Sequence, residues 1–380
     1  MARSVNVVIE PGTYTGANIG DVAMLAVALQ RLRRAFPSVA VKVQGVNRDS
    51  LAAIDAEAQL LDPYGSIAWS YFHSPLLARI ALLARGRRPG AVRDYLDAVR
   101  AADLVLVSGG GFMNDVFRRH ALIVLDTLEM ALESGAVTAL VGQGLGPIAD
   151  RHLRRRIAEV LPRVSLITLR EGVAGLPLLA SIGVPSDRVR VTGDDTIALA
   201  YAARQETIGS TLGVNLRVAP YSGFREDDVE RVGRALREHG APLTPIPIAT
   251  EDCAPVGRIV RQSICAPRTV ADVIGVLPGC RVVVTGSYHA AVFALSMGIP
   301  AVTLARSAYY IAKFRGLASQ FGSGCRVVLT SGQELRDAID DAWSGAVEVR
   351  PDLLDAARRQ IALGEAAFAG LSQKIAESRE

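Results

Sequence analysis

The sequence predicts an α/β protein in which two parallel-sheet domains face a central cleft. Three observations carry this reading. Short apolar runs alternate with segments of helical period from Val5 to Val191, the series restarts at Gly213, and several runs end in glycine-rich turns. At 380 residues the chain is also long for one hydrophobic core, and two domains are the natural reading of its length.

In order, Val5–Ile9 reads as a buried strand, Asp21–Ala35 as an amphipathic helix and Val39–Val43 as a second strand. Leu104–Val107 is a third apolar run, ending in Ser108-Gly109-Gly110-Gly111. Ala121–Ser134 has helical spacing, and the strand Val137–Val141 closes in Gly142-Gln143-Gly144. Leu166–Leu169 and Arg188–Val191 read as further strands around the helix-like Val173–Leu179. This series makes a first domain of residues 1–203. Polar residues from Ala203 to Thr211 mark the boundary. The second domain, 211–345, opens with the strand Gly213–Leu216 and the helix-like Asp227–His239. Leu243–Pro247, helical Ala254–Ser263, Arg281–Val284, Ala301–Leu304 and Cys325–Leu329 follow. The amphipathic stretch 351–380 is expected to pack back across the hinge.

One segment breaks the pattern. Tyr71–Arg93 joins Leu76, Leu77, Ile80, Leu82 and Leu83 to Arg79, Arg85, Arg87 and Arg88. Two readings fit: a basic amphipathic helix on an anionic membrane surface, or a core helix followed by a solvated arginine-rich loop.

Composition narrows the function classes. Half the residues are apolar and 35 are glycine, which suits a folded, turn-rich protein. Of 42 basic residues only Lys42, Lys313 and Lys374 are lysines, and the net charge is +4. The arginines are scattered, with no basic stripe interleaved with aromatics, so nucleic acid is not an expected partner. Cys253, Cys265, Cys280 and Cys325 lack both CxxC and zinc-ligand spacing; thiols in a reducing compartment and no metal site are expected. The start MARSVNVVIEPG has no signal-type apolar run and no window reaches spanning length, so the expectation is a soluble cytoplasmic protein, with contact at the inner face of the membrane through the basic segment.

Candidate site residues cluster at strand ends. Gly16-Ala17-Asn18-Ile19-Gly20-Asp21 lies between the first strand and the first helix, where backbone N–H groups can approach a ligand. Asp21 suits a helix N-cap or a base toward an acceptor hydroxyl, with Asn18 as an acceptor contact. The spacing is not that of a dinucleotide site. Gly110 and Gly111, with Asn114, Asp115 and Gln143, form a second set suited to reading a sugar at the carboxyl edge of the sheet. Arg170 and Arg217 end strands and can bind a carboxylate or phosphate through a planar guanidinium. His289 follows a strand and a glycine, and its ordinary pKa near ~6.5 lets it exchange a proton at neutral pH. Lys313, a lysine in a chain that writes nearly every cation as arginine, stands three residues after Tyr309-Tyr310.

In this order the landmarks Asn18–Asp21, Gly109–Gly111, Gly142–Pro147, Arg170-Glu171, Gly193–Asp195 and the His289–Gly298-Ile299-Pro300–Tyr309-Tyr310–Lys313 segment resemble the polysaccharide pyruvyl transferase family, from about Val5 to about Gly322. The resemblance implies a GT-B-like fold of two Rossmann-like domains, the first on the acceptor side and the second on the donor side. It implies phosphoenolpyruvate as co-substrate, no further cofactor, and a sugar or lipid-linked oligosaccharide acceptor that receives a pyruvyl ketal. His289 would be the acid/base, Asp21 or Asp115 the base toward the acceptor, and Arg170, Arg217, Ser287, Tyr288 and Lys313 the donor contacts. The family often carries an arginine two residues before this histidine, where this chain has Ser287. Two other readings stay open: a nucleotide-sugar glycosyltransferase, with Glu251 and Asp252 as ribose candidates, and a non-catalytic carbohydrate-binding relative.

Overall fold

Apolar runs without polar alternation are expected where a strand is covered on both faces, and that is how the strands lie. The computed structural model describes residues 4–45, 47–329 and 332–378. The first sheet contains β1 (Val5–Glu10), β2 (Val39–Gln44), β3 (Gln59–Leu61), β4 (Leu104–Val107), β5 (Gly110–Met113), β6 (Val137–Leu145), β7 (Leu166–Leu169) and β8 (Val189–Val191). These run parallel in the order β3-β2-β1-β4-β6-β7-β8, with β5 continuing beside β6. Its helices are α1 (Ile19–Ala35), α2 (Arg48–Ile54), α3 (Pro63–Phe72), α4 (Pro75–Leu83), α5 (Gly90–Arg100), α6 (Arg118–Glu133), α7 (Arg151–Val160), α8 (Gly175–Ser181) and α9 (Ile197–Ala202). Two apolar layers sandwich this sheet. One packs α5 and α6 against Val105, Val107 and Leu140; the other packs α1 against Ile9, Val43 and Leu106.

The second sheet is also parallel, with β9 (Thr211–Asn215), β10 (Leu243–Pro245), β11 (Cys280–Thr285), β12 (Ala301–Leu304) and β13 (Cys325–Val328) in the order β10-β9-β11-β12-β13. Around it lie α10 (Glu226–Glu238), α11 (Thr250–Val260), α12 (Val270–Ile274), α13 (Tyr288–Ser296), α14 (Ala308–Phe321) and α15 (Gln333–Glu377). The two-sheet α/β architecture expected from the sequence is therefore present. Domain bounds 1–203, 211–345 and 351–380 include residues 1–3, 46, 330–331 and 379–380, which lie outside the described residues.

Two details differ from expectation. The amphipathic segment expected from residue 351 is the second half of α15, a continuous 45-residue helix. Pro351 reads as a helix start but sits inside this one, where neighbouring Arg350 donates to the carbonyls of Met297 (3.0 Å) and Gly298 (3.2 Å). The first half of α15 covers the second sheet through Leu335, Ala338 and Ile339, and its far end packs Phe368, Leu371 and Ile375 on the first. Arg31 of α1 clamps it there, bonding to buried Asp195 and to Glu365 of α15. Tyr71–Arg93 is likewise not one helix. His73 in the left-handed conformation (φ 46°) ends α3, a turn follows, and α4 and α5 complete the segment.

Glu10, the last residue of β1, has a titration of its own. Its buried carboxylate accepts from Tyr14 Oη (2.9 Å) and Thr127 Oγ1 (3.0 Å), yet burial outweighs both bonds and pushes its pKa from 4.5 up to about 7. A raised acid contributes most below its unfolded pKa and loses that contribution as pH rises through about 7. Glu10→Gln keeps the shape without the charge. Relative to the parent it is expected to gain ~3 kcal/mol between about pH 5 and about pH 8.5, read by urea unfolding at both pH values. Parallel pH curves for the two proteins would reject this account.

Candidate active site

In a doubly wound sheet the ligand crevice lies where strand order reverses, at the carboxyl ends of the strands. Here the reversals fall between β1 and β4 in the first sheet and between β9 and β11 in the second. The two crevices meet in one cavity of about 260 Å³. The first domain contributes residues 12–15, Ala17, Asn18 and Asp21 after β1, Gly111 after β4 and Arg170 after β7. The second contributes Arg217 and Tyr221 after β9, Glu251 after β10, Ser287–His289 after β11, and Tyr309, Tyr310 and Lys313 after β12.

The cationic side of this cavity is unusual. Arg170 is 1% exposed, with Tyr288 beneath it (4.0 Å to the ring centroid). Its Nη1 lies 3.7 Å from Asp194, while Nε and Nη2 find no hydrogen-bond partner among the described residues. Buried N–H donors are almost always satisfied, so two free ones in a cavity wall mark a place for an acceptor. Lys313 Nζ comes to the same spot: a Cβ built on Gly111 would lie 2.3 Å from Lys313 Nζ and 2.4 Å from Arg170 Nη2. Glycine is required there because any side chain would occupy the space both cations face. Burial, and next the Arg170 charge, hold the Lys313 ammonium well below its ordinary pKa. Tyr309 steadies this corner, donating to Gly111 O across the cleft (2.8 Å) and accepting from Lys313.

His289 begins the second turn-position of α13 and closes against the first domain. Its ring rests on Gly20 of α1, where a Cβ would come within 2.0 Å of Nδ1. Nε2 is unpartnered and 3.7 Å from Asp194 Oδ2. Burial pushes the imidazole down to about 3; nearby Asp21 pulls the other way, and Arg170 and Lys313 add to the fall. The ring is therefore neutral near pH 7. Asp194, also buried, links His289 and Arg170, and burial raises its pKa against the pull of Arg170.

Arg217 lines the cavity, but Asp252 occupies much of its fork, with Nε–Oδ1 at 2.7 Å and Nη2–Oδ2 at 2.9 Å. Asp252 also accepts from Asn215 and from the backbone of Ile248 and Ala249, so its role is to fix Arg217 and the loop after β10. Its carboxylate is not free to read a ribose. Ser287 lines the cavity as the N-cap position of α13, with its N–H bonded to Thr285 Oγ1 (2.8 Å).

Of the acceptor candidates, Asn18, Asp21 and Gly111 reach the cavity and Gly110, Asn114, Asp115 and Gln143 do not line it. The reason is local. Asn114 donates to Gly111 O (2.6 Å) and accepts from Phe117 N, Asp115 accepts from Ala149 and Asp150 N–H groups, and Gln143 donates to the Gly110 and Gly144 carbonyls. These side chains satisfy turn backbone that the sheet leaves unpaired. The N-cap of α1 is Asn18, accepting from Gly20 N (3.0 Å), so Asp21 is left to face the cavity. The candidates did not include Asp194, Tyr14, His120, Tyr221, Tyr309 or Tyr310. Asp194 carried a signal, a buried acid pair directly after a strand. Tyr309 and Tyr310 stood among the family landmarks beside Lys313 without a role of their own, and Tyr14, Tyr221 and His120 carried no signal beyond type. His120 stacks on Phe112 (4.2 Å between centroids), and burial pushes its pKa down to about 4.

Solved structures of similar fold include an epimerase and glycosyltransferases. UDP-GlcNAc 2-epimerase from Neisseria meningitidis, bound to UDP-GlcNAc, is 14% identical with TM-score 0.58, covering 98% of this chain and 99% of that one. A UDP-glucosyltransferase from Polygonum tinctorium is 13% identical with TM-score 0.59, covering 99% of each chain. A UGT transferase from Siraitia grosvenorii in complex with UDP is 14% identical with TM-score 0.55, covering 99% of this chain and all of that one. At such identities the likeness establishes the GT-B-like fold alone. No curated protein matches the sequence. The profile of the polysaccharide pyruvyl transferase family, however, matches residues 18–308, a stretch that runs from the Asn18 cap through Arg170, Asp194, Arg217 and His289 and stops short of Lys313. Matched over most of its length, the chain belongs to the polysaccharide pyruvyl transferase family.

Proposed function

We propose that the protein transfers the enolpyruvyl carbon skeleton of phosphoenolpyruvate to a sugar as a pyruvyl ketal. The acceptor is a unit of a cell-surface polysaccharide or its lipid-linked precursor, met on the cytoplasmic side of the membrane. The observation that carries this is the pair Arg170 and Lys313, whose donors face a small cavity beside a neutral histidine. Phosphoenolpyruvate bears a carboxylate and a phosphate on three carbons, and two cations over a glycine suit one such group while the α13 N-terminus and Arg217 suit the other. Ser287, where the family often has an arginine, leaves Arg170, Arg217 and Lys313 to supply the charge.

In the reaction a proton adds to the methylene carbon, making C2 electrophilic. A sugar hydroxyl attacks C2 and loses its proton, phosphate leaves, and the second hydroxyl closes the ketal. Of the two hydroxyl protons, one balances the proton gained by the methyl carbon and the other accompanies phosphate. His289, neutral and with Nε2 open, takes the proton of the attacking hydroxyl and passes it to the methylene carbon, so that protonation of that carbon and attack on C2 are coupled in one step. Asp21 faces the acceptor side as the second base.

His289 and Lys313 both hold their protons weakly because of burial and neighbouring cations, and a bound polyanion opposes the second cause. Phosphoenolpyruvate binding near neutral pH is therefore expected to draw protons from solution. Calorimetry in two buffers of different ionisation enthalpy measures this; equal heats would mean the ligand binds elsewhere.

Fold neighbours solved with UDP or UDP-GlcNAc favour a second reading, a nucleotide-sugar glycosyltransferase. Against it stand the small cavity and the engagement of Asp252 with Arg217. Incubation with a glycan acceptor and either phosphoenolpyruvate or nucleotide sugars separates the two. Phosphate release with pyruvate on the glycan is expected. Nucleotide release without pyruvate incorporation would remove the first reading, and no turnover with either would favour a non-catalytic carbohydrate-binding relative.

A further inference from the structure

Exposed large apolar side chains are normally scattered, and a cluster of them marks an interaction surface. Thirteen are exposed among the described residues, and six of these (Tyr71, Phe72, Leu76, Leu77, Ile80 and Leu83) fall within the segment Tyr71–Leu83. The helical period explains the geometry. Ala78 and Leu82 turn one face of α4 into the core, while Leu76, Leu77, Ile80 and Leu83 share the opposite face, with Leu76 65% exposed. Around that face Arg79, Arg85, Arg87 and Arg88 are also exposed, and no aspartate or glutamate occurs from Tyr71 to Arg88.

We infer that this face docks the protein on an anionic lipid bilayer. An apolar stripe on a short helix, rimmed by Arg79, Arg85 and Arg87 and by Arg88, which is ion-paired with Asp94 of α5, matches the two attractions such a surface offers: a hydrocarbon boundary for Leu and Ile, and negative headgroups for guanidinium groups on flexible stems. A partner protein would have to supply both an apolar groove and a one-signed acidic rim, whereas an anionic bilayer presents both everywhere. Among the described residues no helix is long and apolar enough to cross a membrane, so the contact is peripheral. The patch also borders a helix of the cavity wall: Arg119 of α6 lies 3.0 Å over the Tyr71 ring, and the next residue, His120, lines the cavity. Docking on α4 thus brings α6 close to the lipid surface. That this serves a lipid-linked acceptor rests on the function proposed above; the docking itself does not.

The full chain is tested by co-sedimentation with vesicles of phosphatidylcholine alone and with roughly one-third phosphatidylglycerol, at low and high salt. Binding to the anionic vesicles, weakened by salt, is expected. The double variants Leu76→Ser/Ile80→Ser and Arg85→Glu/Arg87→Glu should each lower the partition coefficient roughly tenfold or more. Their far-ultraviolet circular dichroism and their turnover of a soluble acceptor should match the parent. No binding by the parent, or binding by both variants equal to the parent's, would overturn the inference. So would a dimer seen by light scattering that Leu76→Ser/Ile80→Ser dissociates while the parent ignores vesicles, since the face would then serve a second copy. Vesicle binding by a protein that transfers no pyruvate would leave docking standing and remove the functional reading alone.

Discussion

Lys313→Met is expected to make the free protein more stable and to abolish its response to phosphoenolpyruvate. The two effects have one cause. In the empty cavity the ammonium is buried, shares the space over Gly111 with the Arg170 guanidinium, and is held well below its ordinary pKa. A lysine with a depressed folded pKa is charged in the unfolded chain and disfavoured in the native one, so at neutral pH it subtracts from stability. Methionine fills the same length and lies comfortably beside Tyr309 and Tyr310. Tyr309 keeps its bond to Gly111 O when the lysine is gone. A gain of ~2 kcal/mol is reasonable for removing a buried, poorly paired charge, which moves a melting temperature by a few degrees. For the parent, phosphoenolpyruvate at ~100 times its dissociation constant should add ~2.7 kcal/mol, and in Lys313→Met that increment should vanish. Arg170→Met should lose the ligand response as well. It should not share the full gain in stability, because it also removes the nearest positive charge to buried Asp194. Thermal shift with and without ligand measures both quantities. A less stable Lys313→Met that still responds to ligand would mean that Lys313 is a structural cation.

The same opposition of fold and function decides what could be read from the chain. Strands such as Leu104–Val107 and Ala301–Leu304 are legible because burial on both faces leaves only apolar residues, and the turn after each marks the carboxyl edge. That His289, Arg170 and Lys313 reach the cavity was legible because each is a rare or strand-end basic residue in an apolar setting. Asn114, Asp115 and Gln143 looked equally suitable, but a polar side chain after a strand can turn to the ligand or to its own turn, and nothing in residue type separates these outcomes. Only the hydrogen bonds to Gly111, Ala149 and Gly110 do. Asp194 was passed over for the converse reason: its partners Arg170 and His289 lie far away in sequence, and their meeting is a property of the closed cleft. In α4 the periodicity was plain and its direction was not. A stripe of Leu and Ile has the same sequence whether it faces the core or the surface, and the exposure of Leu76 and Ile80 puts it on the surface.

Gly20→Ala should lower activity by ~100-fold without touching a charged group, because it separates the two halves of the site. Gly20 opens α1 in the first domain, and His289 opens α13 in the second. The added Cβ would lie 2.0 Å from Nδ1, 2.1 Å from Cγ and 2.6 Å from Cβ of His289, closer than any real contact. The imidazole must then swing out of the cavity or the domains must part. Either movement takes Nε2 away from Asp194 and from the space shared by Arg170 and Lys313. Overpacking of this kind typically costs ~1–3 kcal/mol. A plain loss of stability could come from many faults, so the decisive measurement is a double-mutant cycle on unfolding free energy. In a His289→Ala background the Nδ1 and Cγ clashes are gone and the Cβ contact remains, so the penalty of Gly20→Ala should shrink. In His289→Gly it should shrink further. If the penalty is the same in all three backgrounds, Gly20 is not held small by His289, and the contact between α1 and α13 is not what sets the closed geometry of the cleft. If it shrinks in that order, one packing contact sets both the domain closure and the placement of the His289 imidazole in the cavity.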